Sequence, residues 1–356
     1  MFALVPTLLR PDFPTLQRTW LSNVPKDLVA GLVVALALIP EAIAFSIIAG
    51  VAPQVGLYAS FSIAVITSIF GGRPAMISAA TAAIAVLFKQ ITNMDGISEA
   101  EALNLIFAAT ILGGIFQMIA GWLRLGSLMR FVSRSVIVGF VNALAILIFL
   151  AQVFAIIKAM GFDVDHWTIS ANPDKASQVT ALTFLFIALG LGVIYLLPLI
   201  ARPVTAILPP PLIAILGLTA LSLLLPGETR WTVGDEGTLP EGLPSFIWLD
   251  WAHVWQHGWL VLSVAVSIMV VGLLESLMTA SIVEDATETP TQRNRECMGQ
   301  GLANVATGFL GGMGGCAMIG QSIINVKSGG RGRLSCFAAG LRRRQTWLCW
   351  RAWQGP

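Results

Sequence analysis

The sequence predicts an all-α polytopic membrane protein. Three observations carry that prediction. Of 356 residues, 56% are apolar and only 11% charged. Apolar runs near twenty residues long recur along the chain, and basic residues crowd alternate loops between them. A soluble domain carries about 25% charged residues, so this chain has too few to clothe a water-facing surface. Soluble enzymes and nucleic-acid binders are excluded on that ground. The net charge of +2 is too small to recruit a polyanion. The lipid bilayer is the expected partner.

Residues 1–27 hold Arg10, Arg18, Lys26 and four prolines, without an apolar core ahead of a small-residue cleavage site. They read as a cytoplasmic leader. Apolar runs follow near 28–48, 54–70, 75–91, 103–122, 132–157, 179–199, 205–225, 257–282, 297–312 and 317–340. A helix needs about 20 residues to cross about 30 Å of hydrocarbon, so the chain makes about ten crossings. Those opening near Pro74 and after Gly311–Gly315 are short or broken. With the N-terminus inside, alternate loops put thirteen basic residues in the cytoplasm, among them Arg73, Arg124, Arg202, Arg293, Lys327 and Arg333. Only Lys89, Lys158, Lys175 and Arg230 fall outside. That asymmetry predicts a multi-pass protein of the cytoplasmic membrane with its N-terminus in the cytoplasm. Trp248, Trp251, Trp255 and Trp259 precede the eighth crossing and suit an interfacial anchor.

Phe70-Gly71-Gly72-Arg73-Pro74-Ala75-Met76-Ile77-Ser78 resembles Leu310-Gly311-Gly312-Met313-Gly314-Gly315-Cys316-Ala317-Met318-Ile319-Gly320. Each is a glycine pair, a breaker, then Ala-Met-Ile and a small residue. The copies open crossings three and ten. An offset of seven, an odd number, sets them in opposite orientations, the mark of an inverted-topology repeat.

Interrupted apolar segments at matching places in two halves point to a transporter binding site. A helix that starts halfway across the membrane leaves its first N–H groups without intrahelical partners. The macrodipole adds roughly half a positive charge there, and a bound anion satisfies both. Two such ends would hold an anion without a buried Lys or Arg. The candidate donors are the amides near Ser78, Ala79, Ile319 and Gly320, with the Ser78 hydroxyl. The competing reading is that these glycines permit close helix packing.

Glu41 and Glu275 lie within the first and eighth crossings. An acid at that depth marks a functional site by default, and an apolar environment favours the protonated carboxyl. Pro40 weakens the helix where Glu41 and Phe45 would line a cavity. Glu275 and Thr279, at i and i+4, share a helix face. The alternative is a neutral, hydrogen-bonded structural acid.

Enzymatic constellations fare worse. His253 and His257 are spaced for a metal but have no third ligand nearby. No histidine falls within a crossing to activate a serine, and Gly311–Gly315 lacks the Gly-Lys-Ser/Thr ending of a nucleotide loop. Cys297, Cys316, Cys336 and Cys349 have no metal-ligand spacing. No enzyme activity, cofactor or metal is expected.

Five stretches, in their order and spacing, resemble the sulfate permease family of anion transporters, also called the solute carrier 26 family. They are Pro25-Lys26-Asp27-Leu28-Val29-Ala30-Gly31-Leu32-Val33-Val34-Ala35, Ile39-Pro40-Glu41-Ala42-Ile43-Ala44-Phe45, Gly56-Leu57-Tyr58-Ala59-Ser60, Ser78-Ala79-Ala80-Thr81-Ala82-Ala83, and Gly311 to Gly330. The resemblance covers about residues 20–340. It implies fourteen segments in two inverted repeats of seven, with half-helices at segments 3 and 10, a fold shared with nucleobase transporters. Segments 1–4 (28–125) and 8–10 (257–340) would belong to a core domain, and segments 5–7 (126–230) to a gate. An anion such as sulfate, bicarbonate, chloride or a dicarboxylate would lie between the half-helices, and the core would move like an elevator. Glu41 and Phe45 would line the site, and Ser78, Ala79, Ile319 and Gly320 would donate to the anion. Glu275 and Thr279 would take the cation-coupling positions. Glu275 in place of the Asp of sodium-coupled members, with apolar Met318 and Ile319, favours a proton. The resemblance also implies a homodimer.

The family pattern departs at the end. Residues 341–356 carry four arginines and three tryptophans where an apolar helix is expected. The expectation is a frameshift or premature stop near 335–342, with the second half of the gate and the cytoplasmic STAS domain absent. The alternatives are a short basic tail on the membrane surface and a truncated protein that does not transport.

Overall fold

A computed structural model describes residues 19–94, 96–127, 134–159, 162–163, 168–169, 173–201, 205, 210–223, 242 and 244–341. The predicted tail therefore lies outside the described residues, except for Leu341. The chain divides into two compact units, 1–137 with 238–356, and 138–237.

The larger unit begins with α1 (Val24–Ala49), α2 (Pro53–Phe70), the short strand β1 (Ser78–Ala80), α3 (Ala82–Thr92) and α4 (Glu99–Trp122). Prolines at the first turns of α1 and α2 suit positions where the N–H has no helical partner. Gly50, at φ 74°, ends α1 in the left-handed region. A capping box starts α4. Ser98 Oγ accepts from Glu101 N–H at 3.3 Å, and Ser98 N–H donates to Glu101 Oε2 at 2.7 Å.

The smaller unit contains most of α5 (Arg134–Ala159), which starts in the larger one, a two-residue hairpin of β2 (Phe162–Asp163) and β3 (Thr168–Ile169), α6 (Pro173–Ile200) and α7 (Pro210–Leu223). Within it α6 packs on α7.

The larger unit resumes with α8 (Trp251–Gln256), α9 (Gly258–Thr287), α10 (Arg293–Phe309), β4 (Gly315–Ala317) and α11 (Ile319–Lys327). Residues 333–341 then form a further helix, α12. The run at 317–340 is thus not one crossing. A turn at Gly329, φ 94°, separates α11 from α12. Among the described residues, α1, α2, α4, α9 and Ala181–Ile200 within α6 are long and apolar enough to cross a membrane. The expected crossing at 297–312 is α10, whose buried face is polar: Glu296, Gln300, Asn304 and Thr307 recur every three or four residues.

Among the described residues, helices α4 and α10 share the most extensive contact. A Cβ at Gly114 would lie 2.6 Å from Gly301 O, and one at Gly301 2.5 Å from Gly114 O, so glycine permits this approach. Around them an apolar cluster joins α1, α2, α3, α4, α9, β1 and β4.

The inverted repeat is visible in the element order: α1–α2–β1–α3–α4 corresponds to α9–α10–β4–α11–α12. Strands β1 and β4 pair antiparallel, Ser78 with Ala317, Ala79 with Cys316 and Ala80 with Gly315. The separation from Ser78 to Gly315 equals that from Ala82 to Ile319, so Ala79 and Cys316 are equivalent and face each other across a local two-fold. This register corrects the motif comparison, which set Ala75–Ser78 against Ala317–Gly320. Ser78 corresponds to Gly315, and the counterpart of Ile319 is Ala82. Shared residue types slid the alignment by several positions because both copies are rich in small residues.

Candidate functional site

Helices α3 and α11 both start on the strand pair. Thr81 and Met318, in extended conformation, precede them, and neither caps its helix with a side chain. The first helical bonds are Ala85 N–H to Thr81 O at 2.9 Å and Ser322 N–H to Met318 O at 3.1 Å. The amides of Ala82, Ala83 and Ile84, and of Ile319, Gly320 and Gln321, therefore precede any intrahelical i→i−4 bond. A Cβ at Gly320 would meet nothing within 4 Å, so α11 starts against open space.

Four expected residues sit close to this arrangement. Ile319 and Gly320 are the first two residues of α11. Glu41, half-buried on α1, accepts a hydrogen bond from Gln321 Nε2 on α11. Phe45 is buried in the cluster that includes Ala79, Cys316 and Met318. Ser78 and Ala79 are placed differently from the expectation. They belong to β1, ahead of the half-helix, and the amides that precede the first i→i−4 bond are those of residues 82–84. The Ser78 hydroxyl is 1% exposed and accepts from Gln300 Nε2 at 2.6 Å. Gln300 Nε2 in turn donates to Glu296 Oε1 at 2.9 Å. That hydroxyl is turned into the protein, toward α10.

The expected coupling pair lies beside β4. Glu275 is 7% exposed, and Cys316 Sγ donates to its Oε2 at 2.9 Å. The Thr279 hydroxyl donates to Glu275 O at 2.8 Å and to Ala317 O at 3.3 Å. Ala317 N–H donates to Ser276 Oγ at 3.1 Å. Thus α9 holds β4 by its edge, and its acid meets the thiol at the local two-fold.

Sequence reasoning missed Thr81, Cys316, Gln321, Gln300 and Asn304. Thr81 Oγ1 lies 3.2 Å from Cys316 Sγ. Asn304 clamps Gly315, accepting from its N–H at 2.9 Å and donating to its carbonyl at 3.0 Å. The available signal was the four-residue spacing of Glu296, just before the apolar run at 297–312, with Gln300 and Asn304 inside it.

Toward the other end of α10, buried Glu296 accepts from Gly72 N–H at 2.7 Å and Arg73 N–H at 3.0 Å. Arg73 reaches Val283 O at 3.1 Å and also binds Thr287 and Thr289. Arg333 donates to Ser68 O at 2.8 Å and Gly71 O at 2.7 Å, at the carboxyl end of α2. These cations tie helix ends together.

Comparison with known proteins agrees with this architecture. YbaR of Bacillus subtilis, a protein named for sulfate transport, is 48% identical over 326 residues, covering 92% of this chain and 62% of the relative. The bicarbonate transporter BicA of Picosynechococcus is 27% identical over 318 residues, covering 88% of this chain and 55% of the relative. The chain thus spans between about half and two thirds of these relatives' length. Among solved structures, the transmembrane domain of a cyanobacterial BicA superposes with a TM-score of 0.71 at 23% identity, covering 91% of this chain and 82% of that one. Murine solute carrier 26 member A9, inward-facing, gives 0.71 at 17% identity, covering 98% and 60%. At those identities the likeness speaks for the fold. The sulfate permease family matches residues 24–342, and with the inverted repeat and the paired half-helices in place, the chain belongs to the sulfate permease family.

Proposed function

We propose that this chain is the anion-carrying part of a secondary transporter for inorganic or small carboxylic anions, driven by protons. The anion sits before the N-termini of α3 and α11 and takes its hydrogen bonds from the free amides of residues 82–84 and 319–321. Each helix end adds about half a positive charge, so the site is electropositive without a lysine or arginine. Glu41 and Phe45 border it from α1. Glu275, supported by Thr279, carries the coupling proton. The core segments move as an elevator between the two sides of the membrane, and the N-terminus is cytoplasmic. The protein works as a homodimer and moves its substrate without transforming it.

The observation that carries this reading is the β1–β4 pair, which starts two half-helices at one place, one of them facing open space at Gly320. The transporter names of the family's relatives support the same class.

The test is uptake of labelled sulfate, bicarbonate and chloride into proteoliposomes holding the chain, with and without an inward proton gradient. At least one anion should enter, faster with the gradient, and Glu275→Gln should remove the gradient's effect. Uptake of none of the three would favour a membrane protein that does not transport. Uptake with equal response to the gradient in wild type and Glu275→Gln would remove the proton from the proposal.

A further inference from the structure

Three side chains form a hydrogen-bonded row from the acid of α9 to the start of α3. Cys316 Sγ lies 2.9 Å from Glu275 Oε2 and 3.2 Å from Thr81 Oγ1. All three are at least nine-tenths buried, and the Cys316 and Thr81 side chains are closed off from solvent almost entirely. Thr81 is the residue preceding α3, in the position where a threonine normally caps its own helix. Its hydroxyl makes no such bond and is committed to the thiol instead.

We propose that Cys316 is a positioning residue that links the proton on Glu275 to anion binding, by setting which way the Thr81 hydroxyl donates. The inference rests on the reading that the anion lies before α3 and that Glu275 takes the proton.

The chemistry follows from donor counting. An ionised carboxylate only accepts, so the thiol proton then points to Glu275, across the 2.9 Å contact. The sulfur's lone pairs then receive the Thr81 proton, and Thr81 has no donor left for the anion. When Glu275 is protonated, its O–H can donate to sulfur. The thiol proton then turns to Thr81 Oγ1, and the Thr81 O–H is released toward the start of α3. No proton leaves its heavy atom within the row. Protonation at Glu275 thus hands the anion one more donor, and by linkage a bound anion favours the protonated acid equally. A thiol is suited to this position because it both donates and accepts weakly, so both arrangements stay accessible. The titratable groups facing Glu275 are Cys316 of β4 and Glu41 of α1. The same measurement in Glu41→Gln separates the contribution of that second acid.

The experiment is equilibrium binding of labelled sulfate, and separately of chloride, to the purified full chain at pH 5.5 and pH 8. Both probes keep one charge state across that range, so any pH dependence comes from the protein. Wild type should bind about tenfold more tightly at the lower pH, a size usual for coupling between sites. Glu275→Gln should bind equally at both. Cys316→Ala should still bind, but with less than about a twofold difference between the two, and Cys316→Ser should restore the wild-type ratio. Thr81→Val should bind at both pH values as wild type does at pH 8. A Cys316→Ala protein that binds more weakly but keeps the tenfold ratio overturns the inference and leaves the anion site standing. Should Cys316→Ala fail to fold, a wild-type ratio in Thr81→Val overturns it equally. Absence of binding by either probe, or a pH-independent wild type, overturns the underlying reading and this inference with it.

Discussion

Replacing Asn304 with leucine tests whether the polar face of α10 holds the broken helices together. Asn304 is fully buried and makes three hydrogen bonds: from Gly315 N–H at 2.9 Å, to Gly315 O at 3.0 Å and to Gln117 Oε1 at 2.8 Å. Leucine has similar volume and removes all three, which orphans both backbone groups of Gly315 and the Gln117 carbonyl. A buried orphan costs about 1–3 kcal/mol in soluble proteins. Side-chain hydrogen bonds inside membrane proteins average about 0.6 kcal/mol and reach about 1.7. Three groups therefore give about 2–5 kcal/mol. Unfolding entropy near 2.1 cal/mol/K per residue, over a unit of about 250 residues, amounts to about 0.5 kcal/mol/K. The melting temperature should fall by about 4–10 °C. A thiol-reactive dye suits the assay, because Cys297, Cys316 and Cys336 are free and buried and become reactive only on opening. Asn304→Asp is the companion. It keeps an acceptor for Gly315 N–H but turns a carboxylate toward two other acceptors, and should be at least as damaging. A melting temperature within about 1 °C of wild type for Asn304→Leu would refute the clamp, since the smallest magnitude above already predicts more.

Gly320→Val should abolish anion binding while leaving the melting temperature within about 2 °C, because its Cβ meets open space and only an incoming anion would be displaced; binding and melting on one preparation check this. Gly315→Ala should prevent stable folding, since the new Cβ would lie 2.1 Å from Ala79 O across the strand pair; loss of a monodisperse peak on size exclusion is the readout. Glu296→Ala should destabilise by about 3–5 kcal/mol, because three buried donors, Gly72 N–H, Arg73 N–H and Gln300 Nε2, lose a carboxylate acceptor; dye-monitored melting decides it, and a melting temperature equal to wild type would show the acid to be dispensable.

The sequence made the breaks legible but not what crosses them. Glycine and proline at 71–74 and 311–315 announce that a helix stops there, since both residues disfavour its continuation. A three-residue strand inside an apolar stretch shows no alternation, because both its faces are buried, so neither β1 nor its pairing could be read. The repeat was recognised through residues of similar type, and small residues at Ala75–Ala83 and Gly311–Gly320 match in several registers. Geometry alone selects the one that places Ala79 opposite Cys316. That slip explains why Ser78 and Ala79 stood in for the amides of Ala82–Ile84. The acids were legible for the opposite reason: Glu41 and Glu275 stand alone in apolar surroundings. Cys316 and Thr81 look like ordinary apolar-segment residues, and only their placement beside Glu275 and α3 distinguishes them.

A chain that interrupts two helices at depth exposes the backbone of two strands, and lipid cannot satisfy those groups. The partners here can be followed one by one. Ile77 N–H donates to Ser322 Oγ at 2.9 Å, and Met318 N–H to Ile77 O at 2.8 Å. Ala80 N–H reaches Ser60 Oγ at 3.3 Å. Asn304 takes both groups of Gly315, while Ser276 and Thr279 take those of Ala317. Polar side chains from α2, α9, α10 and α11 thus converge on the interruption, each serving a backbone atom that an unbroken helix would have satisfied itself. Such provision makes sense only if the interruption is worth keeping. The leading amides of α3 and α11 precede the first i→i−4 bonds of their helices, and no side chain caps either helix. On the proposed reading, these two sets of donors, beside the open space at Gly320, serve an acceptor from outside the chain. The electropositive helix ends favour an anion as that acceptor.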